Sequence, residues 1–167
     1  MNLPAHTPLS PEHLRLRQAL LSCRSHGMGL GEALEDIGPL ALSAADLQCL
    51  SRSYRRLLDQ FAYRFTRLQD DMGAQLMPAL LAALAEDIAS MSTLDRLNRL
   101  EQLGWLSDAE EWSTLRRIRN EFTHDYPESP ELRHERLQLA LKAAARLLDL
   151  FNSFEDKMNR RFPELVS

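Results

Sequence analysis

"SAADLQCLSRSYRRLLDQFAYRFTRLQDDM", Ser43 to Met72, decides the fold class. Its apolar residues Leu47, Leu50, Tyr54, Leu57, Leu58, Phe61, Phe65, Leu68 and Met72 recur mostly in steps of three and four, the spacing of one buried helix face. Arg52, Arg55, Arg56, Asp59, Arg67 and Asp70 lie opposite. Ser43 stands where an N-cap belongs, so the stretch predicts one long helix starting there.

Upstream, Pro4, Pro8 and Pro11 predict an N-terminal arm. Ser10 as N-cap and Pro11 at the first helical position then start a helix carrying Leu14, Leu16, Ala19, Leu20 and Cys23. The glycines of "SHGMGLG" are expected to end it, with a turn or two more of helix before Pro39. Downstream, Gly73 and Pro78 predict a kink or break ahead of "PALLAALAEDIA", because proline has no backbone N–H to donate. "MSTLDRLNRLEQLGWL" reads as a helix capped by Ser92 or Thr93 and closed by Gly104. Ser107 and Glu110 have capping-box spacing and predict a helix that turns Trp112, Leu115, Ile118 and Phe122 inward, until Pro127 stops it near Asp125 or Tyr126. Ser129 and Pro130 start the last helix, with Leu132, Leu137, Leu141, Ala144, Leu148, Phe151 and Phe154 on one side and Pro163 at its end.

No alternating strand pattern and no Asn-Gly hairpin signal interrupts this succession. The expected fold is all-α, an antiparallel helical bundle of four to five main helices. Residues 1–40 form an arm and extension helix, and 41–167 the bundle domain. A chain of 167 residues, 44% hydrophobic and 26% charged, is long enough to bury one continuous core. Twenty Lys and Arg against 24 Asp and Glu give a net charge of -4, which excludes a surface that is cationic all round and makes any phosphate binding local. The start lacks the basic and apolar segments of a signal peptide, and the longest apolar run, Leu76 to Ala85, is half a membrane span. Cys23 and Cys49 lack Cys-x-x-Cys spacing and read as reduced, buried thiols, so a cytoplasmic location without membrane attachment is expected.

Dinucleotide, P-loop, zincin and hydrolase-elbow motifs are missing from the sequence, and His6, His13 and His26 recur with no partners at metal-ligand spacing. The basic positions Arg52, Arg55, Arg56, Arg64 and Arg67 have Asp59, Asp70 and Asp71 within helical reach, the pattern of a salt-bridged surface. "RNEFTHDYP", Arg119 to Pro127, is different. Arg119 is a permanent cation and His124 exchanges protons near neutral pH, which is what metal-free RNA cleavage needs: a base for the ribose 2′-OH and a cation for the phosphorane. Five residues on an ideal helix, however, set these side chains roughly 140° apart, whereas Asn120 and His124 share a face. A productive pair therefore needs a loosened helix end or a cleft walled by a second subunit. On spacing alone the bland reading, surface residues or a helix-dipole partner, prevails. Trp112, Phe61, Tyr63 and Phe65 likewise read as core before they read as base-stacking platforms.

The longer string "LEQLGWLSDAEEWSTLRRIRNEFTHDYPES" resembles the HEPN superfamily, in particular the HepT-like toxins and the related nucleotidyltransferase substrate-binding proteins. Their Arg-x4-His-x-Tyr pattern is met by Arg119, His124 and Tyr126, and "LDQFAYRFTRLQDDM" is similar to the aromatic-rich helix beside the motif helix. The resemblance spans about residues 43 to 160. It implies a homodimer whose motif helices form a composite cleft, alone or within a larger hetero-oligomer. It also implies endoribonuclease action on tRNA or mRNA without metal or other cofactor and without DNA as substrate. Arg119 and His124 would be catalytic, with Asn120 orienting the site and Arg116 and Arg117 steering RNA or merely decorating the surface. A nucleotidyltransferase antitoxin of the MNT type is the implied partner, with Tyr126 as acceptor of AMP. The alternative implied by the same resemblance is a non-catalytic substrate-binding subunit of a minimal nucleotidyltransferase.

Overall fold

In the computed structural model, which describes residues 8–124 and 127–165, serine hydroxyls fix the start of five helices. Ser10, Ser43, Ser51, Ser92 and Ser129 each accept a hydrogen bond from the backbone N–H three residues on, at 3.1 to 3.3 Å. Each such cap satisfies one of the four orphan donors at a helix start and is worth about 1 kcal/mol. The helices in chain order are α1 (Pro11–Ile37), α2 (Ala44–Gln48), α3 (Arg52–Asp71), α4 (Met77–Ala83), α5 (Thr93–Gln102), α6 (Ala109–His124) and α7 (Pro130–Arg161). Short 3-10 turns join some of them, and the described residues contain no strand. The fold is all-α, as its apolar spacing predicts.

Several boundaries differ from expectation for identifiable reasons. α1 does not end at "SHGMGLG" but runs through it to Ile37. Its glycines are places of close approach: a Cβ on Gly27 would stand 3.3 Å from the Phe151 ring, and one on Gly29 would stand 2.7 Å from the Arg64 side chain. Leu30, Ala33 and Ile37, all buried, anchor the helix beyond them. Ser43 caps only the short α2, in a reciprocal capping box with Asp46, and Ser51 starts the long helix instead. Gly73 and Pro78 do not break the helix. Met72–Leu76 form a π-helical turn in which the Met77 N–H bonds to Met72 O, five residues back, so α3 passes into α4 through one widened turn. Ser107 and Glu110 do not cap α6. The Asp108 carboxylate accepts the Glu110 N–H at 2.8 Å and Glu101 of α5 accepts the Ala109 N–H at 2.9 Å, so a carboxylate one residue later and another from the preceding helix displace the serine. Gly104, at φ 79°, closes α5 as expected.

One hydrophobic core joins these elements. Leu16, Leu20 and Leu30 of α1 are fully buried together with Phe61, Phe65 and Leu68 of α3, and Phe154 of α7 is fully buried too. Truncating a buried ring such as Phe154 to alanine costs about 3–5 kcal/mol, so these rings hold the bundle together. Residues 11–37, read above as an extension, lie against α3, α4 and α7 within this core. Leu14, Tyr54, Tyr63 and Leu132 are exposed rather than inward-facing. Cys23 is buried but Cys49, just past the end of α2, is exposed, contrary to the expectation of two buried thiols. Among the described residues no helix is long and apolar enough to cross a membrane. α6 packs on α3, α5 and α7, and this placement determines what Arg119 meets.

Candidate functional site

Trp112 and Leu115 turn inward from α6, and Arg119, a turn further on, follows them. At 6% exposure it is the one buried arginine among the described residues, and a guanidinium removed from water needs partners. Both come from the end of α3. Arg119 Nε donates to Gln69 Oε1 at 3.1 Å, and one terminal nitrogen donates to Asp70 Oδ1 at 2.9 Å. Gln69 is itself 2% exposed, and because an arginine can only donate, the contact fixes which way its amide faces. The Gln69 Nε2 is left without a hydrogen-bond partner.

Beside this contact lies a cavity of about 420 Å³. Its walls are the π-turn with α4 (Gly73, Met77), α5 (Arg96, Leu97, Leu100) and α6 (Trp112, Arg116, Arg119). Gly73 lets the indole come close there: a Cβ at that position would stand 3.1 Å from Trp112, so the ring would have to shift to admit one. Arg96, Arg116 and Arg119 face Asp70 as the charged groups of the wall, so the cavity carries a cationic excess within a net-acidic chain. Arg96 is held in place by donating to Ile88 O at 3.0 Å. Such a surface suits an anion that also has flat or apolar parts.

The motif residues are thus divided between two surroundings. Arg119 is buried and paired, while Asn120 and His124 are exposed, His124 being the last described residue of α6. No hydrogen bond or ion pair joins Arg119 to His124 among the described residues. Arg116 lines the cavity, and Arg117 points away to pair with Glu121 at 3.0 Å. Tyr126 lies outside the described residues. Phe61 and Phe65 are fully buried and stack on each other, and Phe61 also meets Phe122 edge-on, so these rings belong to the core.

A second polar centre, which the sequence did not single out, sits on the opposite side of α3. Asp71, 2% exposed, accepts from the Ser22 hydroxyl at 2.6 Å and lies 3.6 Å from His26 Nε2 and 3.5 Å from Arg67. Arg64 donates to His26 Nδ1 at 3.1 Å, a bond that only the imidazole without a proton on that nitrogen accepts. Burial therefore holds His26 below the usual histidine range. Asp71 opposes that shift, and Arg64 and Arg67 reinforce it. Burial, with Asp71 nearby, pushes the Cys23 thiol up to about 12. Of the carboxylates assigned by spacing to a salt-bridged surface, Asp70 is directed to α6, and Asp71 keeps an ion pair with Arg67 four residues back but is buried against α1. The adjacent pair of carboxylates at a helix end was the available signal, but helical angle alone does not say which neighbouring helix stands there. No family model matches this chain, and neither does any curated protein or solved structure.

Proposed function

We propose that this protein is a metal-independent endoribonuclease of the HepT-like toxin type, acting on tRNA or mRNA as a homodimer and restrained by an MNT-type nucleotidyltransferase. The supporting observation is the division just described: Arg119 stands at a cationic cavity while Asn120 and His124 are exposed on the same helix. A cleft formed by two copies of α6 lets the His124 of one copy serve a phosphate bound near the other's Arg119. His124 takes the proton from the ribose 2′-OH as the 2′-oxygen bonds to phosphorus. The bond from phosphorus to the 5′-oxygen breaks, and that oxygen receives a proton from the second copy's His124. Arg119 offsets the charge that builds on the phosphorane oxygens, and Gln69 and Asp70 keep its fork in place. The products are a 2′,3′-cyclic phosphate and a 5′-hydroxyl. AMP attached to Tyr126 would place negative charge beside this site and repel RNA.

A second reading, the non-catalytic partner subunit of a nucleotidyltransferase, is favoured by one observation: Arg119 already has a carboxylate partner in its own chain. Incubation of the purified protein with tRNA in EDTA separates the two. Cleavage that disappears in His124→Ala, with helical content retained, supports the nuclease. RNA left equally intact by wild type and His124→Ala removes that reading and leaves the partner subunit standing.

A further inference from the structure

The outer face of α1 has a pattern of its own. Leu14, Leu21 and Met28 follow at intervals of seven and are 46%, 51% and 68% exposed. Seven residues fall about 20° short of two full turns, so the three side chains form one stripe along the helix. Arg17, Arg24 and Gly31 occupy the intervening positions, three residues after each. This is the a and d spacing of a helix that pairs with another helix.

Two further observations identify the other helix. Beside Met28 a groove of about 410 Å³ opens between α1 and α7, floored by Gly27, Gly31, Leu148 and Phe151 and rimmed by Glu32 and Glu35. Gly31, where an added Cβ would meet nothing nearer than Leu148 at 4.0 Å, leaves room there for a side chain from outside. After Glu12 in the first turn, charge is also split along the helix: Arg15, Arg17 and Arg24 lie in its first part, Glu32, Glu35 and Asp36 in its last.

We infer that α1 pairs antiparallel with α1 of a second copy, across a two-fold axis near Arg24 and Ser25. Leu21 of each copy enters the groove beside the other's Met28, and Arg17 meets the other's Glu32 at the rim. Leu14 then covers the stem of Glu35. A parallel pair would stack Arg17 on Arg17 and Glu32 on Glu32, so charge selects the antiparallel arrangement. Arg24 is already tied to Glu155 in its own chain, which leaves Arg17 as the cation that reaches across. The interface is self-complementary, as a two-fold contact requires. It is independent of the proposed nuclease, because the cavity at Arg119 is lined by residues from α3 onward.

Light scattering and sedimentation of the full chain at tens of micromolar test the inference. Leu21→Asp and Met28→Asp, both at exposed sites, are expected to keep their helical circular dichroism and to halve the assembly mass. Arg17→Glu is expected to weaken association about tenfold, and the triple variant Arg17→Glu, Glu32→Arg, Glu35→Arg to restore it. In a Cys49→Ser background, Ser25→Cys should form a disulfide dimer on mild oxidation. Gln18→Cys, about 20 Å from its counterpart in the antiparallel pair, should not. A monomeric wild type, an unchanged mass in Leu21→Asp and Met28→Asp, a triple variant that stays dissociated, or equal cross-linking at Gln18 overturns the inference. Loss of mass with RNA cleavage retained separates this surface from the nuclease.

Discussion

Arg119→Ala measures what holds the guanidinium at the cavity. The substitution leaves Gln69, 2% exposed, with neither amide oxygen nor amide nitrogen partnered, because its Nε2 already lacks a partner. Orphaning a buried acceptor costs about 1–3 kcal/mol. Asp70 also loses its partner, but its side chain is 45% exposed and rehydrates, so that ion pair contributes at most about 1 kcal/mol. The total is about 1–4 kcal/mol. For a chain of this length a central value of about 2.5 kcal/mol lowers Tm by about 5–10 °C. Asp70→Asn, by contrast, should cost under about 1 kcal/mol, since the amide oxygen still accepts from Arg119. Urea titrations followed by circular dichroism and by tryptophan emission give both values, and coincidence of the two transitions checks that unfolding is two-state. A loss under about 1 kcal/mol for Arg119→Ala, or an Asp70→Asn variant as unstable as Arg119→Ala, would refute the assignment of the main stabilisation to the Gln69 contact.

Two further outcomes follow from the centre at Asp71. His26 has a folded pKa below its ordinary 6.5, so the folded protein binds fewer protons than the unfolded chain. The stability this confers is present above about pH 6.5 and is lost as pH falls through the folded value, and His26→Gln should flatten the decline between pH 6.5 and 5. A wild-type profile already flat over that interval would contradict the lowered value. Thiol titration with an aromatic disulfide at pH 8 should modify Cys49 at once and Cys23 only on unfolding, since burial raises the Cys23 thiol to about 12. Fast modification of two thiols in the folded protein would show that Cys23 is accessible.

The fold class was legible because apolar spacing reports a buried face directly: Phe61, Phe65 and Leu68 were read as inward and are fully buried. Caps were legible where a serine stands directly before the helix and its hydroxyl takes the N–H three residues on, as at Ser10, Ser92 and Ser129. They were misread at Ser107, where a carboxylate stood one residue closer to the helix. The glycines of α1 were misread because a glycine that breaks a helix and one that admits a neighbouring ring look alike until the neighbour is known. The same limit applied to the candidate site. Residue chemistry singled out Arg119 and His124 and helical angle set them apart, but that Gln69 and Asp70 receive Arg119 is a relation between helices roughly fifty residues distant along the chain.

The widened turn at Met72–Leu76 sets a phase. Just before it, Gln69 and Asp70 reach α6 while their neighbour Asp71 reaches α1, and just after it Leu80 and Leu81 are both fully buried. The turn holds one residue more than an α-helical turn spans, so deleting one residue from it would restore ordinary α-helical winding and keep α3 and α4 in phase. Deleting one from the α-helical winding on either side, with the widened turn kept, would instead rotate the two parts by roughly 100° relative to each other. Either the three polar side chains would then lose their neighbouring helices, or α4 would turn its leucines toward water. The widened turn is therefore the place along this stretch where loss of one residue is absorbed.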